Sequence, residues 1–97
     1  MKFIKKMVKR IDDEIESAMY YAEKYVESKS NGENVERYKA MTIDELNHAK
    51  FLHELAVKSI DKLSKVYSAS PDMLEKWTNT HNDYLTKVSE IERLINI

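Results

Sequence analysis

Three ionisable side chains stand where apolar ones belong. At helical spacing, the first third of the chain aligns Ile4, Met7, Ile11, Glu14, Ala18, Tyr21 and Tyr25 on one line, flanked by Val8, Ile15, Ala22 and Val26. The middle third aligns Tyr38, Met41, Glu45, His48, Leu52 and Leu55. Glu14, Glu45 and His48 therefore interrupt two lines that ought to face each other. Glu45-Leu46-Asn47-His48 is a Glu-x-x-His pair, whose i, i+3 spacing puts both side chains on one helical face. A carboxylate and an imidazole converging there can bind one divalent metal, and a further carboxylate can bridge to a second. The same groups can also satisfy one another without metal, as a hydrogen-bonded pair that orders a bundle, because a buried polar group left unmet is costly.

The elements that must position them follow from two punctuation points. Ser28-Lys29-Ser30-Asn31-Gly32-Glu33-Asn34 holds the only glycine. Gly32 suits the left-handed position past a helix end, and Asn34 can cap the next helix. In Ser68-Ala69-Ser70-Pro71-Asp72, Ser70 reads as N-cap, Pro71 as the first helical residue and Asp72 as a favourable first-turn charge. The pattern predicts a single all-α domain, residues 1–97, with helices over about 3–30, 35–67 and 71–95. Such long helices imply an elongated molecule with an antiparallel hairpin of the first two. Counted from Lys29 and Asn34 at the hairpin turn, Glu14 and His48 come within roughly 2 Å of the same height, and Glu45 within roughly 6 Å.

Helix 2 carries a second line, Thr42, Leu46, Ala49, His53, Ala56, Ile60, Leu63 and Tyr67, so it is expected to be central. Helix 3 presents Leu74, Trp77, His81, Tyr84, Leu85, Val88, Ile91 and Ile95 and is expected to pack on that second line. His53 and His81 then face one interface, roughly 6 Å apart in height, as core histidines each satisfied by a partner. His81 falls roughly 13 Å along the axis from His48, and Thr78, not Glu, precedes it by three residues. It cannot complete the site within one chain. Glu90 has the right height but lies at the edge of its stripe. A complete site needs a second subunit about a two-fold axis, so that two hairpins make four helices.

The stretch from Ile11 to Ile60 resembles ferritin-like proteins, the rubrerythrin-like ones in particular. The resemblance is carried by Glu14-Ile15-Glu16-Ser17-Ala18 with Tyr21-Ala22, then by Asp44-Glu45-Leu46-Asn47-His48-Ala49 and Leu52-His53. The short chain with a third helix also looks like small ferritin-like proteins encoded by phages and prophages. The resemblance implies a four-helix iron or manganese site built from two Glu/Glu-x-x-His halves, with Glu14, Glu45 and His48 as the matching ligands. The second half is absent from this chain.

Composition narrows the classes. One Gly and one Pro among 97 residues leave no turns for a sheet. Sixteen basic against seventeen acidic residues argue against binding nucleic acid by phosphate neutralisation. Lys2, Lys5, Lys6, Lys9 and Arg10 are expected to pair with nearby Asp12, Asp13, Glu14 and Glu16. The absence of cysteine excludes disulfides and thiolate-held metal. No apolar run approaches the roughly 20 residues that span a bilayer, and no signal peptide is evident, so a cytoplasmic place is expected. Two functions fit: a metal-binding ferritin-like bundle assembled as a homo-oligomer, or an oligomeric structural or adaptor protein that keeps the fold without the metal chemistry.

Overall fold

A computed structural model describes residues 2–64 and 71–96. It contains three helices: α1, Lys2–Asn31; α2, Val35–Ser64; and α3, Pro71–Leu94. Among the described residues there is no strand. Gly32 adopts a left-handed φ of 74°, and its N–H donates to the Ser28 carbonyl at 2.7 Å. The last turn of α1 thus closes on the one residue with no Cβ to clash. Asn31 Oδ1 accepts the Glu33 N–H at 2.9 Å, holding the connection. Asn34 is also left-handed, φ 59°, and its carbonyl accepts the first bond of α2 from the Tyr38 N–H at 3.0 Å. Pro71 opens α3 with Asp72 in its first turn, as expected. Ser70, Tyr67 and the expected last turn of helix 2, with the side chains of Ile4, Leu63 and Leu74, lie outside the described residues.

The molecule measures 54 × 19 × 17 Å. Its core is a seam between antiparallel α1 and α2, closed on one flank by α3. Met7, Ile11, Ile15, Ala18, Ala22 and Tyr25 of α1 are buried against Leu46, Ala49 and Ala56 of α2, and Tyr84, Val88 and Ile91 of α3, with Ile95 just past its end, complete the cluster. The buried line of α1 is therefore rotated slightly from the expected one: Ile15 and Ala22 lie at its centre, Glu14 and Tyr21 at its margin. Two buried hydroxyls are met on their own helices, Thr42 Oγ1 by the Tyr38 carbonyl and Ser28 Oγ by that of Tyr25, both at 2.8 Å.

The expectation that helix 2 is central is corrected. The backbone of α3 runs closer to α1 than to α2, so α1 is the shared element. The reason is steric. Between α2 and α3 stand the rings of His53, Trp77, His81 and Tyr84, which hold those two backbones apart. Further along, the ion pair Lys50–Glu92 bridges them at 3.6 Å. The first line of α2, from Tyr38 to Leu55, faces no third helix and stays half open.

Docking of α3 through one face sets a test. Ile91→Ala should cost about 2–5 kcal/mol in denaturant unfolding, as expected for a fully buried isoleucine. Leu85→Ala, at a side chain 48% exposed, should change stability by no more than about 0.5 kcal/mol.

Candidate metal centre

Glu14 reaches from α1, and Glu45 and His48 from consecutive turns of α2, on the flank of the hairpin away from α3. One ligand atom from each lies within 4.8 Å of the others. Glu14 Oε2 is 3.5 Å from His48 Nδ1. The heights counted from the hairpin turn thus place these three groups together. Among the described residues no other cluster of three such side chains occurs. Their exposure is graded: the Glu14 side chain is 26% exposed and that of His48 61%. The result is a notch walled by two helices and open to solvent.

The carboxyls are not independent. The Glu14 carboxylate, as hydrogen-bond acceptor, pushes Glu45 up to about 7, with partial burial and the Glu14 charge adding to it and His48 opposing it. A carboxyl can donate to a neighbouring carboxylate only while it keeps its proton, so Glu45 stays protonated to near neutrality. Two carboxylate oxygens and one imidazole nitrogen suit iron(II), manganese(II) or zinc. Neighbouring atoms bound to one such ion at about 2.0–2.2 Å are about 2.8–3.6 Å apart, so the side chains would close in from 4.8 Å by changing rotamer. A divalent cation would take the place of the Glu45 proton. The donor set therefore fits the ion that the resemblance implies.

Neither remaining candidate joins the notch. Glu90 lines the groove between α1 and α3 beside Glu16 and Lys87. His81 meets His53 instead, ring nitrogen to ring nitrogen at 2.8 Å, so both histidines have the partner expected of them. Among the described residues, all three candidate groups come from α1 and α2. Tyr21 is half-buried with its ring edge against Tyr20, and Lys9 pairs with Asp13 at 3.4 Å as the run of charges predicted. The stacking of His53 on Tyr84 and Trp77 escaped the sequence, although the shared height of those residues was its signal.

Compared with known protein families, curated proteins and solved structures, the chain finds no match. Among the described residues no helix is long and apolar enough to cross a membrane.

The proton on Glu45 is measurable. Glu45 holds its proton in the fold up to about pH 7 and loses it near 4.5 when unfolded. Between those values the native state binds more protons, so this group's contribution to stability falls as pH rises. Glu45→Gln, whose amide donates to Glu14 without titrating, should melt higher than wild type at about pH 8 in the absence of metal. The advantage should shrink progressively towards about pH 5, as read from thermal unfolding at each pH.

Proposed function

We propose that the protein is a metal-binding helical bundle that holds a divalent ion, iron or manganese, on Glu14, Glu45 and His48. The observation that carries this reading is the convergence of those three groups from two helices, with the Glu45 proton held more tightly because Glu14 lies beside it. Such proximity disfavours the charged forms unless a cation occupies the notch. When bound, iron or manganese would supply Lewis acidity and one-electron chemistry. The residues hold the ion and tune it: Glu14 and Glu45 lend negative charge, and His48 contributes a neutral nitrogen.

A second copy of the chain completes the site in this proposal. On α2 the exposed Phe51 (60%) and Leu55 (39%) flank His48, leaving an apolar margin beside the notch. A two-fold operation through that margin would set two hairpins face to face as four helices, with a second triad opposite the first. The same apolar margin favours the alternative, an oligomeric structural or adaptor protein, because it would drive assembly with or without metal.

Metal dependence separates the two. Iron(II) under anaerobic conditions, manganese(II) or zinc should raise the melting temperature of the wild type, by about 2.7 kcal/mol of stabilisation at 100 times the dissociation constant. The gain should fade as pH falls below about 7, where Glu45 must give up its proton to bind. Glu45→Ala should abolish the response. If none of the three ions moves the wild-type transition, the metal reading fails and the adaptor reading stands. Light scattering on the same samples checks the second copy, with a dimer or larger expected.

A further inference from the structure

On the opposite flank of the hairpin, α2 and α3 are joined through one aromatic cluster. The His53 ring stacks on Tyr84 with centroids 4.2 Å apart and planes 6° from parallel. On its other contacts it meets Trp77 at 5.8 Å and His81 at 4.9 Å. His53 Nε2 and His81 Nδ1 are 2.8 Å apart. Tyr84 is buried and Trp77 and His81 half-buried, whereas Glu75, Lys76, Thr78 and Asn79 around them are exposed. Among the described side chains, the first half of α3 is thus held largely by these rings. Its second half is held differently, by buried Val88 and Ile91, by Ile95 just past its end and by the Lys50–Glu92 ion pair.

The protons of the pair can be counted. Two neutral imidazoles 2.8 Å apart hold one proton between the facing nitrogens, one ring donating and the other accepting. The accepting ring carries its own proton on its outer nitrogen. A first added proton goes to the outer nitrogen of the donating ring, and the hydrogen bond survives with charge assistance. A second added proton has only the accepting nitrogen left to take. Two N–H groups then face each other with no acceptor, and two cations lie at stacking distance. The bond is lost and repulsion replaces it.

We propose that the His53–His81 pair is an acid-operated latch, whose double protonation releases the first half of α3 from α2 while the second half stays docked. Burial and the neighbouring His81 both hold the His53 proton affinity below the ordinary imidazole value, so the latch stays shut at neutral pH. Among the described residues the charges acting on it are few. Glu54 on α2 acts on His53 and favours its cation. On α3, Tyr84 is neutral, its ionisation pushed further up by burial. From α1, the charges that reach α3, Asp12 and Glu16, act on Lys87. No carboxylate on α1 or α3 therefore acts on His53 to offset the second positive charge.

Trp77, the single tryptophan, reports the event directly. Metal-free wild type should show a red-shifted Trp77 emission and greater quenching by acrylamide as pH falls from about 7.5 to about 5, below the ordinary histidine range. The helical circular dichroism signal should change little over the same range. His81→Gln keeps a hydrogen-bonding partner for His53 but cannot take the second proton, so its Trp77 emission should stay flat. His53→Gln should be equally silent and serves as the second variant, each being checked for native helicity at pH 7.5. Protonation at Glu45, on the other flank, occurs in all three proteins and subtracts out. A wild-type emission that does not move overturns the proposal, as does a shift that coincides with loss of helicity. So does the same red shift in either variant.

Discussion

Ala18 and Ala22 on α1 and Ala49 and Ala56 on α2, all fully buried, let two long helices lie close along most of their length. That seam is the constraint from which the other features follow. It sets the register of the hairpin, and the register sets which side chains share a height. One residue of slip between the helices would move a side chain 1.5 Å along the axis and turn it by about 100°. Glu14 would then point away from Glu45 and His48, and the groove that receives Ile91 and Ile95 would lose its shape. The tight connection through Gly32 and Asn34, both left-handed, anchors the register at one end.

Helical period and hairpin length were enough to bring Glu14, Glu45 and His48 together, because a short antiparallel connection turns sequence distance into height. The same arithmetic put His53 near His81. What it could not convey was the choice of neighbour for α3. An apolar stripe shows which face a helix buries but not which partner receives it. That choice rests on the bulk of four rings between α2 and α3, a property of packing and not of periodicity. Nor could spacing show that Glu45 keeps its proton. This depends on how far a carboxyl leans toward another and on how much water lies between them, fractions of an ångström below the grain of a helical wheel.

The two titrating clusters oppose each other energetically. Glu45, raised, contributes stability that is lost as pH climbs towards 7. His53, lowered from 6.5, is destabilising where the unfolded chain is protonated and the fold is not, so its contribution recovers as pH climbs. Their windows overlap and their slopes have opposite sign. A flat pH profile of whole-molecule stability would therefore conceal two active sites of protonation, one on each flank of the same seam.

The 54 × 19 × 17 Å outline has a consequence for how the molecule turns in solution. A rod nearly three times longer than it is wide spins quickly about its long axis and tumbles slowly end over end. Amide bond vectors of a helix lie along its axis, and here the two helices of the seam run along the rod. Those amides reorient almost only through the slow motion. In nuclear relaxation the chain would thus behave as a larger particle than its 97 residues suggest, while its side chains, pointing outward from the rod, sense the faster spin.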